Sequence, residues 1–255
     1  MVIEIFKEKF LDRWFNVVKG KQVGLNTDEA SIEKHMINQK VCELEVKKDW
    51  QILELFAGIG LTSYLYSKAG KEVHCIEKDK AIFELLKENL TEISNIILHN
   101  DNNINVMKVM VDKQMKFSLA DLDPFNNVYF QFPLAMQLID NGILMVTSGE
   151  LFAIQRKVAI KKYGEYKLNN FWEFPELVLL PWLIAGAKSM NKEIRLKHLY
   201  VYPTSARFLF EVGDYHVSKE LEVWLKDRKK YLGWLGKRSI KSKSLSDFFK
   251  VKESV

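Results

Sequence analysis

Cysteine is nearly absent. The two that occur in 255 residues, Cys42 and Cys75, show no metal-binding or redox spacing, and Cys75 lies in an apolar strand-like run that suits a buried, inert thiol. That excludes a redox or metal motif built on them and fits a reducing compartment. Long apolar runs are missing too: no stretch reaches the length needed to span a bilayer, and the first residues mix acids, lysines and aromatics where a secretory leader would have an apolar core. A soluble, cytoplasmic protein is expected. There is no internal repeat, and the charge imbalance is small. A net charge of +5 permits a phosphate-rich partner without establishing one. What is present is apolar material, 47% of residues, with 12% aromatic, enough for one substantial core.

The pattern of that material changes along the chain. From Glu4 to Val18, Ile5, Phe6, Phe10, Leu11, Trp14, Phe15 and Val18 recur at spacings that predict a helix packed on the main domain. A second short helix is expected through Ile32 and Met36, which makes residues 1–49 a helical N-terminal extension. Beyond Trp50, strand and helix alternate. Strands are predicted at Gln51–Phe56, Val73–Glu77, Ile96–His99, Lys116–Asp121 and Gly142–Thr147, with helices between them, so a parallel, doubly wound sheet with right-handed crossovers follows. Helical patterns continue through Lys162 and from Glu176 to Met190. The alternating runs Arg195–Tyr202 and Ala206–Val212 then predict an antiparallel hairpin. Residues 50–215 thus form an α/β domain with a mainly parallel, seven-stranded sheet and an antiparallel last strand. Residues 216–235 contain a C-terminal helix, and residues 236–255 form a flexible basic tail.

Two segments carry chemistry. The first is the turn after the first sheet strand, where Gly58 and Gly60 let main-chain N–H groups approach a ligand closely. A glycine pair alone also suits a dinucleotide site or a purely structural turn. Glu77, ending the second strand, can accept both hydroxyl hydrogens of a ribose, or lie beside a helix cap. Asp101, after the third strand, can contact an adenine amino group or serve as a cap.

The second segment is Asp121-Leu122-Asp123-Pro124-Phe125-Asn126-Asn127, at the carboxyl end of the fourth strand, where open α/β sheets place their ligands. An exocyclic amine on a nucleobase is a poor nucleophile because its lone pair is delocalised into the ring. An enzyme that alkylates it must hold the N–H donors with acceptors. Asp123 is assigned to the amine, the carbonyl of Pro124 is the second acceptor, aimed by the fixed φ of proline, and Phe125 stacks on the base. The alternative is an ordinary Asp-Pro turn with Phe125 in the core. Asp121 is assigned near the cofactor or as a support for the site.

These residues carry resemblances. Glu54 in the strand, with Phe56 and Ala57 before Gly58 and Gly60, resembles the first motif of S-adenosylmethionine enzymes, in which the acid supports the methionine amino group. The whole arrangement resembles a Rossmann-like class I methyltransferase. The run from Asp121 to Phe125, the buried strand Gly142–Thr147, the Lys161-to-Gly164 element and the final hairpin are similar to the catalytic domain of the tRNA guanine-N2 dimethyltransferase family, over roughly Gln51 to Val212. That resemblance implies S-adenosylmethionine as donor, a ring-bound amine as acceptor, a catalytic Asp123, and Glu150 lining the pocket. The sequence departs from the family at Asn126, where glycine is usual, and at Gly149-Glu150, which replaces a Thr-Asp pair.

The tail adds a competing indication. Leu245, Phe248 and Phe249 fall on one side of a single helical turn and resemble the PCNA-interacting peptide, with Ser242 in place of the usual glutamine. That resemblance implies delivery to DNA by the sliding clamp and an archaeal setting. It makes DNA the preferred substrate at this point, with tRNA guanine as the alternative and a non-catalytic clamp- or nucleic-acid-binding protein as the reading from another class. A turn folded back on the core is also open for the same residues.

Overall fold

In a computed structural model, residues 5–18, 29–124, 126–155, 171–202 and 204–228 are described. The N-terminal segment departs from expectation. Residues predicted as a helix instead form an antiparallel hairpin of β1 (Ile5–Phe10) and β2 (Arg13–Val18), with Phe10 opposite Arg13 across a Leu11-Asp12 turn. Leu11 takes φ 54° there. The reason is tertiary: Phe15 stacks edge-on with Phe10 and with Tyr64, at centroid distances of 6.0 and 5.6 Å. Arg13 donates to the carbonyls of Asn89 and Thr91 at 2.7 and 2.8 Å. The turn shifts the phase of the alternating pattern, so two strands imitate helical spacing. The extension therefore pairs this hairpin with one helix, α1 (Glu29–Leu44).

The alternation beyond Trp50 folds as β3 (Gln51–Glu54), α2 (Leu61–Ala69), β4 (Glu72–Ile76), α3 (Lys80–Asn89), β5 (Ile96–His99), α4 (Asn103–Asp112), β6 (Leu119–Leu122), α5 (Gln131–Leu138) and β7 (Gly142–Ser148). Next come α6 (Glu150–Gln155), single turns at Phe171–Glu173 and Pro175–Leu179, α7 (Leu180–Ser189), β8 (Ile194–Val201), β9 (Ala206–Val212) and α8 (Lys219–Lys226). The seven-stranded sheet has the order β5-β4-β3-β6-β7-β9-β8. Strands β3 to β7 pair in parallel, and β9 runs antiparallel to both of its neighbours. This is the Rossmann-like sheet with its antiparallel last strand.

Helices cover both faces because the strands are apolar on both sides, as parallel strands buried in an α/β sheet must be. Ile52, Cys75, Leu119, Ile143 and Leu209 face a core shared with the hairpin, α1, α2, α3 and α8. Their neighbours Leu53, Ile76, Ala120, Leu144 and Phe208 face a second core with α4, α5 and α7. Phe174 is also buried in that second core. The crossover order leaves the strand ends of β3 and β6 open between the two layers. Among the described residues no helix is long and apolar enough to cross a membrane.

Candidate functional site

A cavity of about 900 Å³ opens at those strand ends. Its first wall is the turn from β3 to α2. Gly58 and Gly60 both adopt left-handed φ, 54° and 94°, a region that costs a residue with a Cβ about 1–2 kcal/mol. They do different work. Gly58 lines the cavity and its N–H donates to Glu77 Oε2 at 3.1 Å. Gly60 is not in the lining. A Cβ there would come within 2.8 Å of Leu86 and 2.9 Å of Leu90, so its absence lets α3 pack against the start of α2. The expectation of ligand approach at Gly60 is thus replaced by close packing.

Glu77 ends β4 and also receives the Asp79 N–H at 2.8 Å. Burial raises its carboxyl above the usual range, partly offset by those backbone donors. Glu54 ends β3, is buried, and accepts the Ser63 hydroxyl. Burial raises it well above its ordinary value, and no cation contacts it among the described residues. Phe56 and Ala57 continue the same wall. Asp101 lies at the rim, exposed, where its Oδ1 accepts the Asn102 N–H at 2.6 Å and the Asn105 amide at 3.2 Å. The cap of α4 is Asn102, whose side chain accepts from Ile104 N. Asn103 lines the cavity on the same side.

The opposite wall is the end of β6. Asp121 is buried and receives the Tyr66 hydroxyl at 2.7 Å and Arg207 Nη2 at 3.0 Å, both on Oδ2. Its Oδ1 is buried without a partner. Arg207, 2% exposed, also donates to Thr147 Oγ1 at 2.7 Å and Asn38 Oδ1 at 2.6 Å. It ties β9 to β6, β7 and α1. Asp123 and Pro124 line the cavity beyond Asp121, and Lys34 of α1 places its ammonium 2.5 Å from Asp123 Oδ2. Burial pushes the Asp123 carboxyl up, but the Lys34 charge, with Arg207 and a Thr147 hydrogen bond, outweighs it and holds the group at about 2. Phe125 lies outside the described residues, as do Leu245, Phe248 and Phe249.

Glu150 sits elsewhere than the resemblance implied. It is buried behind the wall, with both oxygens accepting the Tyr129 hydroxyl at 3.0 Å. Thr147 and Gly149 line the cavity at that strand end instead. Sequence reasoning missed Lys34, His35, Thr147, Tyr202 and Arg207. The one available signal was an arginine inside the otherwise apolar run Ala206–Val212, which calls for a buried acid.

The family model for N2,N2-dimethylguanosine tRNA methyltransferase matches residues 14–177. The chain belongs to this family. The match spans the hairpin's second strand, both cavity walls and the Asp121-to-Phe125 run. Among solved structures, Trm1 from Pyrococcus horikoshii in complex with S-adenosyl-L-methionine is similar at TM-score 0.67 and 16% identity, over 86% of this chain and 64% of that one. Trm5b from Pyrococcus abyssi is similar at TM-score 0.56 and 12% identity, over 83% of this chain and 56% of that one. At these identities the likeness is one of fold. Among curated sequences, ribosomal RNA small subunit methyltransferase A from Persephonella marina is 26% identical over 144 residues, 55% of this chain and 51% of that protein. The chain thus spans about half the length of that relative.

Proposed function

We propose that this family member transfers the methyl group of S-adenosylmethionine to the exocyclic amine of a guanine in tRNA. The observation that carries the reading is the meeting of two walls at one cavity, a glycine turn with two carboxylates on one side and Asp123-Pro124 on the other. The donor set fits the cofactor. Glu54 is a buried carboxyl with no cation in contact among the described residues, suited to the methionine ammonium. Glu77, fixed by the Gly58 and Asp79 N–H groups, keeps acceptor capacity for a ribose diol. Asp101 and Asn103 supply polar atoms for an adenine. When bound, S-adenosylmethionine supplies an electrophilic methyl on a sulfonium.

The chain's own part is to present the amine. Asp123, ionised at neutral pH, accepts one N–H, and the Pro124 carbonyl accepts the other, which orients the nitrogen lone pair away from both. The sulfonium's S–CH3 bond would break as the N–C bond forms, leaving a neutral thioether, and the nitrogen's surplus proton would pass to water after transfer. With Lys34 holding its carboxyl below the ordinary carboxylate range, Asp123 is too weak a base to remove that proton before transfer. Its contribution is orientation.

Transfer to DNA under clamp recruitment rests on residues 242–249 alone, whereas the family match covers the site itself, and so tRNA takes precedence. The test is transfer of radiolabelled methyl to bulk tRNA and to double-stranded DNA in parallel, followed by nucleoside mass spectrometry. Label on tRNA guanine N2 is expected. Asp123→Ala should lower that transfer at least about 100-fold while S-adenosylmethionine still binds. Label on DNA alone overturns the tRNA assignment, and binding to tRNA without label supports a non-catalytic role.

A further inference from the structure

The sheet provides the acids of this site, but it provides no cation in contact with the acid that matters most. Asp123 faces the cavity with Glu54 and Asp121 at neighbouring strand ends. Arg207 is engaged with Asp121, Thr147 and Asn38. Among the described residues the cation in contact with Asp123 comes from α1, where Lys34 reaches Oδ2 at 2.5 Å, each side chain about a quarter exposed at 24% and 28%. We propose that Lys34 is a positioning residue, delivered by the N-terminal helix, that turns the Asp123 carboxylate toward the cavity and extends its ionised, acceptor-only state to lower pH. The inference rests on the assignment of Asp123 to the target amine.

The chemistry requires that state. A protonated carboxyl presents an O–H to an incoming N–H, donor against donor, and loses the acceptor that holds the amine. An ionised carboxylate has about four lone-pair positions, so contacts with Lys34 and Thr147 leave capacity for a substrate. Among the described residues the groups around Asp123 are Lys34 and His35 from α1, Glu54 from β3, Asp121 from β6, Thr147 from β7, Tyr202 after β8 and Arg207 from β9. His35 is buried and neutral near pH 7, and Tyr202 is held neutral by burial. Removing Lys34 leaves Arg207 and the Thr147 hydrogen bond to oppose burial.

The experiment is a pH titration of the Asp123 carboxyl by carbon NMR in the full chain, with Asp123→Asn identifying the resonance. Lys34→Met and Lys34→Gln should raise the midpoint by about 1–3 units, a ten- to thousandfold gain in proton affinity. Lys34→Arg should restore it. In methyl-transfer assays the acid limb of kcat/KM should move upward in the two neutral variants and return with arginine, a response that loss of a merely structural contact would not give. An unchanged midpoint in a folded neutral variant overturns the proposal. So does failure of both neutral variants to fold, since Lys34 would then serve the fold. The titration needs no nucleic acid. A shifted midpoint without transfer to tRNA refutes the proposed function alone, and transfer with an unshifted midpoint refutes the role of Lys34 alone.

Discussion

Replacing Arg207 with methionine tests whether the floor of the site is held by charge. The guanidinium and Asp121 lie 3.0 Å apart with side chains 2% and 4% exposed. At an effective dielectric constant of about 20, that separation corresponds to about 5–6 kcal/mol of attraction. Most of it offsets the cost of taking both ions out of water, so the pair's net worth against an apolar replacement is small. Breaking it from one side is different. Arg207→Met leaves Asp121 buried with only the Tyr66 hydroxyl on Oδ2 and no partner on Oδ1. It also strips Asn38 and Thr147 of a donor. The expected loss is about 3–5 kcal/mol in urea unfolding followed by circular dichroism. Because the uncompensated carboxylate causes most of that loss, adding Asp121→Asn should return part of it. The double variant should then be more stable than the sum of the single changes by about 1–3 kcal/mol. A loss below about 1 kcal/mol for Arg207→Met, or strict additivity in the double variant, would refute the electrostatic account of this network.

Three further outcomes follow from the cavity walls. Glu77→Gln should weaken S-adenosylmethionine binding about 10- to 100-fold in calorimetry, the worth of hydrogen bonds to a charged acceptor, and unchanged affinity would remove Glu77 from the cofactor set. Gly60→Ala should cost roughly 1–3 kcal/mol of stability through φ 94° and the contacts with Leu86 and Leu90. In protein that remains folded, cofactor affinity should change little, because Gly60 is outside the cavity lining. His35 is buried, its Nδ1 lacks a partner, and burial with the nearby Lys34 charge lowers it to about 3 from an ordinary 6.5. The unfolded chain therefore binds a proton between those values that the folded chain does not. The associated stability is complete above pH 6.5 and is lost as pH falls toward 3. Acidifying from pH 6.5 to 5 should cost roughly 2 kcal/mol through this residue, and His35→Gln should flatten the dependence over that interval.

The α/β alternation was legible because fully buried parallel strands are short apolar runs closed by turns. Gly142–Thr147, for example, matches β7 within one residue. The strand-end acids were legible for a related reason. Glu54, Glu77, Asp121 and Asp123 are charged residues at the carboxyl ends of apolar strands, where a solvated loop alone would not require them. The hairpin was not legible. Ile5 to Val18 satisfies helical spacing only because a two-residue turn resets the strand phase, and the contacts that select the hairpin, Phe15 on Tyr64 and Arg13 on Asn89, lie about 50 and 76 positions away. Glu150 and Gly60 were misplaced for a different reason. A motif gives the identity of residues at a strand end, but not which of two adjacent ones turns toward the cavity, and here Gly149 faces it while Glu150 turns to Tyr129.

The cations followed no such rule, because neither belongs to the alternating region where the acids lie. Arg207 arrives on the inserted antiparallel strand and Lys34 on the helix that precedes the sheet in sequence. Asn38 links the two supports, being on α1 one turn beyond Lys34 while accepting from Arg207. α1 is also fixed from its far end, where Glu45 accepts Tyr215 and Ser218 at 2.6 and 2.9 Å. The helix is thereby tied at its middle to β9 and beyond its end to the segment that follows β9, so the position of Lys34 over Asp123 depends on elements more than 160 residues downstream. A strand-end acid can be placed by its own strand. Its surroundings are completed by a helix that precedes the sheet and a strand inserted late in it, which meet beside it.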